Sequence, residues 1–341
     1  MAKEEAIDIE VEGRTIHVTN PSKVYFPEPG IAKVDVIRYY IDVGTAALLG
    51  CRDRPSILFR WPDGIQGEPF FQKRIPKSAP EWVQSVTITY PSGRTARTAV
   101  MADVAHIAWA ATLGCLDINP WPVRRSDVDR PDELRIDLDP TPDIPFDVVR
   151  RVALIAREAL AEHGLTGFPK TSGKRGIHIP VRIEPRWEFT VVRRAALALA
   201  RDIERRAPKL ATSAWWKEQR HGVFVDYNQN ARDRTTASAY SVRPVPDARV
   251  SMPLQWEEVA EVEPADFTLA TVPAMLRERG DAASAIDASA GDLTLLLELA
   301  DRDEAGGLGD APWPPHFPKA KGEPDRVAPS RARKKPSGSG T

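Results

Sequence analysis

Apolar and polar residues along this chain alternate with two periods, one typical of strands and one typical of helices. Alternation with period two predicts hairpins over residues 7–18 and 86–100, and strands over residues 134–139, 177–183 and 223–227. Recurrence at helical spacing predicts helices over residues 33–49, 102–113, 146–163 and 189–206. Because strands and helices interleave, the pattern predicts an α/β fold, of the mixed α+β kind.

Composition limits the kinds of site that the chain can carry. Hydrophobic residues make up 42% of the 341 positions, which is enough for a sizeable core. The 47 lysines and arginines are offset by 48 aspartates and glutamates, so a site for a polyanion must be local. Two cysteines are too few for a disulfide framework. No apolar run is long enough to cross a membrane, and we expect a cytoplasmic protein.

The composition changes near residue 306. Beyond that point Pro, Lys, Arg, Gly and Ser dominate, as is typical of segments without a packed core. We therefore expect one folded domain over residues 1–305 and a disordered tail over residues 306–341.

Two carboxylates project from the predicted strand at residues 134–139, which reads LRIDLD. Side chains alternate between the faces of a strand, so Asp137 and Asp139 share the face opposite to the leucines and the isoleucine. Such a pair can hold divalent cations, which prefer hard oxygen ligands. An isolated Asp-x-Asp is more often the solvated face of an edge strand, and that alternative stays open from this motif alone.

A third acidic candidate, Asp226, follows the short apolar run VFV at residues 223–225. It can equally be an aspartate that begins a turn. Three carboxylates together can hold two cations, of which one lowers the pKa of an attacking hydroxyl and both stabilise a phosphoryl displacement.

Residues 170–178, KTSGKRGIH, are a candidate loop for a triphosphate. Small residues let backbone amides approach phosphate, and the basic and hydroxyl side chains can bind it. The spacing is not that of a P-loop, and Arg175 stands where Ser or Thr would follow the lysine. His178 begins the next strand on the face opposite to its apolar neighbours, although a lone strand histidine is usually structural.

Further polar and aromatic residues flank these motifs. The run DYNQN at residues 226–230 is followed by Arg232, Arg234 and Arg243, which suit a phosphate but are equally typical of a solvated loop. Phe70 and Phe71 precede a lysine and an arginine, as in surfaces that stack on bases. In a strand, one of the two phenylalanines would ordinarily be in the core.

Three of these segments in order resemble the motifs of the polymerase domain of bacterial DNA ligase D, a branch of the archaeo-eukaryotic primase superfamily. They are RIDLDP at residues 135–140, KTSG to GIH at residues 170–178, and VFVDYNQN at residues 223–230. The similarity also covers residues 67–72, 119–124 and 240–243, so it spans roughly residues 10–300. It implies a two-part primase-polymerase catalytic core over residues 1–305, with a mixed or antiparallel sheet that carries the metal site.

The resemblance implies a DNA-dependent polymerase or terminal nucleotidyltransferase that fills gaps and extends 3′ ends at double-strand breaks. Such enzymes typically favour ribonucleotides and use two Mn²⁺ or Mg²⁺ ions. The residues that the resemblance assigns to the metals are Asp137, Asp139 and Asp226. Those that it assigns to the nucleotide are Ser172, Arg175, His178, Gln229 and Arg243. Those that it assigns to DNA are Lys23 and Lys33, for the 5′-phosphate across a gap, and Phe70 and Phe71, for the template.

The implied partners are gapped or broken DNA with a 5′-phosphate, nucleoside triphosphates, the end-binding protein Ku and a separate ATP-dependent ligase. The sequence lacks the Lys-x-Asp-Gly of a ligase, since its nearest counterpart at residues 61–64 is WPDG, and we expect a stand-alone polymerase. Asn119 replaces the usual histidine of the family, which puts one DNA contact in doubt. Arg175 replaces a common lysine and changes the geometry of the charge. The alternatives are a DNA-end scaffold without catalysis and a primase that starts strands de novo.

Overall fold

An N-terminal group of short strands and helices precedes the central sheet of the protein. The computed structural model describes residues 6–315 and 317–319 of the 341-residue chain. The first elements, in chain order, are β1 (Ala6–Val11), β2 (Arg14–Thr19), β3 (Val24–Phe26), β4 (Ile31–Ala32), α1 (Lys33–Asp42), α2 (Gly44–Cys51), β5 (Ser56–Arg60), β6 (Phe70–Gln72), β7 (Ser85–Thr89), β8 (Thr95–Ala99), α3 (Val104–Thr112) and β9 (Cys115–Pro120). Strands β6, β5 and β9 form an antiparallel sheet in that order. The predicted hairpins are β1–β2 and β7–β8.

The central sheet follows in the second half of the chain. Its strands and the helices around it are β10 (Glu133–Pro140), α4 (Phe146–Glu162), β11 (Lys170–Thr171), β12 (Ile177–Arg182), α5 (Phe189–Arg206), β13 (Ala211–Thr212), β14 (Val223–Val225), α6 (Val272–Arg279) and α7 (Thr294–Ala305). The strand order is β11-β12-β10-β14-β13. Strand β10 is antiparallel to both of its neighbours, whereas β13 is parallel to β14. The sheet is therefore mixed, which confirms the predicted fold class.

One face of strand β10 packs against two helices. Helices α4 and α5 contact β10 and each other, and Leu134, Ile136 and Leu138 are buried beneath them. Helix α4 presents Val152 and Ala156, four positions apart, to this core. Since side chains alternate along a strand, the residues between the buried apolar ones point to the opposite face of β10, where the candidate site lies.

The helix predicted over residues 33–49 is interrupted. Helix α1 ends at Asp42 and α2 begins at Gly44, so Val43 lies between them. A Cβ atom on Gly44 would lie only 2.3 Å from Cγ1 of Val104, which begins α3. The close approach of α2 to α3 therefore requires glycine at a position that weakens a continuous helix. The spacing of apolar residues along the chain carries no information about this requirement.

The segment after α7 contacts α5. Residues 308–313 belong to the predicted tail, and their carbonyl oxygens and Asp310 accept hydrogen bonds from two arginines of α5, Arg193 and Arg201. The predicted disorder of residues 316 and 320–341 falls outside the residues that the structure describes. In the described part of the chain, no helix has the length and apolar character needed to span a bilayer.

Candidate active site

Strand register brings the three predicted carboxylates together. His178 on β12 lies opposite Asp137 on one side of β10. On the other side, Val225 pairs with Leu138, and the backbone N–H of Asp226 donates to the carbonyl oxygen of Asp137 at 2.8 Å. Asp226 is therefore the neighbour of Asp137 across the sheet, and Asp139 lies two residues further along β10 on the same face.

The surroundings of Asp137 and Asp226 disfavour the charged forms of these two carboxylates. The side-chain amide of Gln229 donates to Oδ2 of Asp137 at 3.1 Å and to Oδ2 of Asp226 at 3.2 Å. Burial, together with the charges of Asp226 and Asp139, raises the pKa of Asp137 to about 8. Burial also raises the pKa of Asp226.

A divalent cation suits this donor set. Among the described residues, no three His, Cys, Asp or Glu side chains are already drawn together as metal ligands. The amide of Gln229 instead bridges two of the carboxylates by hydrogen bonds. The donors are carboxylate oxygens, which hard cations such as Mg²⁺ and Mn²⁺ prefer, and a cation between them would remove the repulsion that raises the pKa of Asp137. The chemistry of the residues present therefore fits a divalent cation.

The loop at residues 172–176 closes tightly beside the carboxylates. The backbone N–H of Ser172 donates to the carbonyl of Gly176, and Oγ of Ser172 accepts from the N–H groups of Lys174 and Gly176 at 3.2 and 3.0 Å. Gly173 has a φ of +68°, and a Cβ atom there would lie 2.3 Å from Cγ of Arg243. The loop therefore depends on glycine to lie against the Arg243 side chain.

His178 is held by Lys170, the first residue of the candidate loop, and Lys170 is held in turn by Ser251, which the sequence did not single out. Nζ of Lys170 lies 2.9 Å from Nδ1 of His178 and donates to Oγ of Ser251 at 2.6 Å. Oγ of Ser251 in turn donates to the carbonyl of Thr171. The other ring nitrogen of His178 is 3.5 Å from Oδ1 of Asp137. Burial lowers the pKa of Lys170 to about 7 and that of His178 well below its usual value, and the Lys170 charge adds to the second shift.

The Arg243 guanidinium is anchored by an aspartate from the neighbouring sheet. Its Nη1 donates to Oδ2 of Asp117 on β9 at 2.5 Å. Asp117 is almost fully buried, and burial raises the pKa of its carboxyl group even though Arg243 lowers it. In the sequence, only the alternation of Asp117 with Leu116 and Ile118 pointed to this aspartate. Many ordinary strands show such alternation, so the pattern did not single Asp117 out as a site residue. Arg243 therefore links β9 to the loop at residues 172–176.

Arg175 and Asn119 are turned towards backbone oxygens. The Arg175 guanidinium donates to the carbonyls of Thr141 and Pro142, in the turn that follows β10. Asn119 is buried, and its amide donates to the carbonyl of Asp117 at 3.0 Å. Arg175 therefore ties the loop at residues 172–176 to the turn after β10, whereas Asn119 bonds within its own strand, β9.

The four residues assigned to DNA lie away from the carboxylates, on the N-terminal part of the chain. Strands β3 and β4 pair, and the backbone N–H of Lys33 donates to the carbonyl of Lys23, so the two lysines are neighbours. The ammonium of Lys23 pairs with Asp63. That of Lys33 donates to the carbonyl of Thr19 at 2.8 Å.

Both phenylalanines of strand β6 are exposed. Phe70 is 44% and Phe71 57% accessible, so neither is in the core, contrary to the expectation for a period-two strand. The reason is that β6 is a three-residue edge strand that pairs only with β5 in its sheet. The ring of Phe71 stacks on Phe59 with 4.2 Å between ring centroids, and Arg60 lies over Phe70.

The chain is a nucleotidyltransferase of the primase-polymerase class, as its similarity to a family model and to a solved structure shows. Within that class, this chain belongs to the LigD primase-polymerase domain family, whose sequence model matches residues 32–283. The chain is similar to a solved structure described as the polymerase domain from Mycobacterium tuberculosis ligase D in complex with DNA. The TM-score is 0.75 and the identity 31%, over 80% of this chain and 98% of the other.

Curated relatives are larger proteins. The chain is 31% identical over 312 residues to the multifunctional non-homologous end joining protein LigD of Mycolicibacterium smegmatis, covering 89% of this chain and 40% of the relative. It is 30% identical over 268 residues to the bifunctional non-homologous end joining protein LigD of Bacillus subtilis, covering 78% of this chain and 43% of the relative. This chain therefore spans about two fifths of the length of these relatives.

Proposed function

We propose that this protein fills gaps and extends 3′ ends of DNA during the repair of double-strand breaks. The observation that carries the proposal is the register of β10 with β14, which sets Asp226 beside Asp137 and Asp139. Membership of the LigD primase-polymerase family supports the same reaction. The attack of a primer 3′-hydroxyl on the α-phosphate of a nucleotide, with pyrophosphate as leaving group, is the step that such a site serves.

The three carboxylates are proposed to hold two divalent cations, Mn²⁺ or Mg²⁺. When bound, such ions lower the pKa of the hydroxyl and stabilise the charge on the phosphoryl group that is transferred. The protein's part is to keep the oxygen ligands in place, and the hydrogen bonds from the Gln229 amide to Asp137 and Asp226 support that role. Gln229 then stays within reach of the nucleotide.

The nucleotide is proposed to lie along the loop at residues 172–178 and Arg243. His178 faces Asp137 with one ring nitrogen while Lys170 holds the other, so the imidazole is oriented before substrate binds. Ser172 shapes the loop through its contacts with Lys174 and Gly176. Arg175, as placed here, contributes by tying this loop to the turn after β10.

DNA is proposed to reach the site over the N-terminal part. Lys23 and Lys33 are adjacent cations, which suits a 5′-phosphate at the far side of a gap. The exposed faces of Phe70 and Phe71 offer a surface for template bases, and Arg60 lies beside them. The proposal extends, by resemblance, to a preference for ribonucleotides and to work alongside Ku and an ATP-dependent ligase.

Primer extension on a gapped duplex tests the proposal. The duplex carries a downstream 5′-phosphate, the metal is Mn²⁺ or Mg²⁺, and the nucleotides are ribo- or deoxyribonucleotides. We expect extension by the wild type, faster with ribonucleotides, and its loss in the Asp137→Ala/Asp139→Ala double variant. DNA binding without extension under both metals would favour the scaffold. Synthesis without a primer would favour the primase.

A further inference from the structure

A short segment after α7 binds a buried arginine of α5. Arg193 is only 1% accessible. Its Nη1 donates to Oδ1 of Asp310 at 2.7 Å, and its Nη2 donates to the carbonyls of Ala311 and Pro312 at 2.8 and 3.1 Å. The guanidinium also lies over the ring of Trp313, at 3.9 Å from the ring centroid. Residues 310–313 therefore provide both the charge and the carbonyl oxygens that a buried arginine requires.

The same arginine reaches the third carboxylate motif. Nε of Arg193 donates to Oδ1 of Asn228 at 2.7 Å, and the amide of Asn228 donates to the carbonyl of Pro312 at 3.1 Å. The backbone N–H of Asn228 donates to Oδ1 of Asp226 at 2.9 Å. A continuous set of hydrogen bonds thus runs from residues 310–313 through Arg193 and Asn228 to the Asp226 carboxylate.

Asp226 needs such support because its strand has already ended. Strand β14 stops at Val225, and Asp226 begins a short 3₁₀ turn over Tyr227–Asn230. One backbone hydrogen bond to Asp137 fixes its main chain. Its carboxylate lies beside like charges that would push it away. Metal ligands must be held to within about half an ångström, which a single turn does not provide by itself.

We propose that residues 310–313 form a strap that positions the Asp226 carboxylate for metal binding through Arg193 and Asn228. The inference rests on the proposed function in one respect, namely that Asp226 is a metal ligand. The strap lies beyond residues 32–283, the range that the family model matches. Arg193 and Asn228 are positioning residues, and the strap is a part of the site contributed from the C-terminal side of the domain.

The test compares the double variant Asp310→Ala/Trp313→Ala with Asp301→Ala in the full chain. Asp301 pairs with Arg194, the next residue of α5, at 2.6 Å, and this pair matches the strap contact in kind. Arg194 binds Asp301 and Glu304 of α7, away from Asn228. Loss of the Asp301–Arg194 ion pair therefore provides the control. Two quantities are measured. One is Mn²⁺ affinity, by titration calorimetry, and the other is the rate of hydrogen exchange at the backbone N–H of Asn228.

We expect the double variant to bind Mn²⁺ about tenfold more weakly, as when a residue that orients a metal ligand is lost. The Asn228 amide should exchange at least about tenfold faster, while amides of β12 keep their rates. Asp301→Ala should change neither quantity.

Unchanged Mn²⁺ affinity, or faster exchange spread equally over β12, would overturn the strap, since it would then be a general packing contact. The two proposals fail separately. Suppose that the wild type binds Mn²⁺ and the double variant shows weaker binding and faster exchange at Asn228, but the wild type extends no primer. That result would leave the strap in place and remove the polymerase.

Discussion

The carboxylate site on the central sheet and the exposed face formed by Lys23, Phe70 and Phe71 are built in opposite ways. In the carboxylate site, Asp137 and Asp226 are half-buried and Asp139 is exposed, and charged groups bond to partners far away in sequence, such as Asp137 with Gln229 and Arg243 with Asp117. On the exposed face, Lys23 holds one surface ion pair and the two rings are open to solvent.

The difference separates residues whose position is fixed in advance from residues that adapt to a ligand. Half-buried carboxylates of like charge, such as Asp137 and Asp226, lower stability, and a fold keeps them only where the surrounding structure determines their positions. A surface ion pair is worth about 0–1 kcal/mol, so Lys23 can exchange Asp63 for another anion with little loss. Substitutions in the first region should therefore have large effects on activity, and those in the second smaller effects on binding.

The largest effect is expected for Asp226→Asn, which keeps the shape of the side chain and removes its charge. Primer extension should fall about 10³-fold, since metal-assisted stabilisation amounts to several kcal/mol and each 1.4 kcal/mol is tenfold in rate. Without divalent cations, the melting temperature should rise by a few degrees, because repulsion within the site is relieved. Asp143→Asn, an exposed aspartate in the turn after β10, is the control. A destabilised or still active Asp226→Asn variant would contradict the comparison.

A smaller effect is expected for Phe71→Ala on the exposed face. Stacking of a base on an aromatic ring is worth about 1–3 kcal/mol, so affinity for a gapped duplex should fall about tenfold. The melting temperature should fall by a few degrees at most, since Phe71 is exposed and the substitution removes only its stacking on Phe59. Fluorescence anisotropy with a labelled duplex measures the binding, and Phe71→Tyr keeps the ring as a control. Unaltered affinity of Phe71→Ala would show that the template takes another path.

The smallest effect is expected for Lys23→Ala, and here selectivity is the informative quantity. Loss of about 1 kcal/mol should weaken binding to a 5′-phosphorylated gap about fivefold, and binding to an unphosphorylated gap less. Lys209→Ala, an exposed lysine after α5, should reduce neither preferentially. Equal loss on both duplexes in Lys23→Ala would remove this lysine from the phosphate pocket.

The carboxylates were accessible to sequence reasoning because a strand has a fixed period. Once residues 134–139 are taken as a strand, Asp137 and Asp139 must share a face, and the structure has them on the face opposite to Leu134 and Leu138. The break at Gly44 was not accessible, because it depends on a close approach to Val104, sixty residues later.

The supporting residues were missed for a similar reason. Lys170 meets Ser251 across 81 positions, and Arg193 meets Asp310 across 117. Local pattern carries no information about such partners. Arg193 lies within a helix whose periodicity was correctly predicted, yet nothing in that period indicates that its charge is buried. Composition likewise suggested a disordered tail from residue 306, although residues 310–313 meet this arginine.

Strand β10 is hydrogen-bonded on both sides, by β12 and by β14, and helices cover one of its faces. Local opening of a protein begins at edges and loops and reaches central strands only with the whole cooperative unit. The amides around Asp137 should therefore be among the last to become accessible, whereas β6 at the edge of its sheet can detach while the rest stays native. Asp137 and Asp139 should therefore stay in place for as long as the protein is folded, whereas the exposed aromatic residues of β6 can detach and re-form many times within that period.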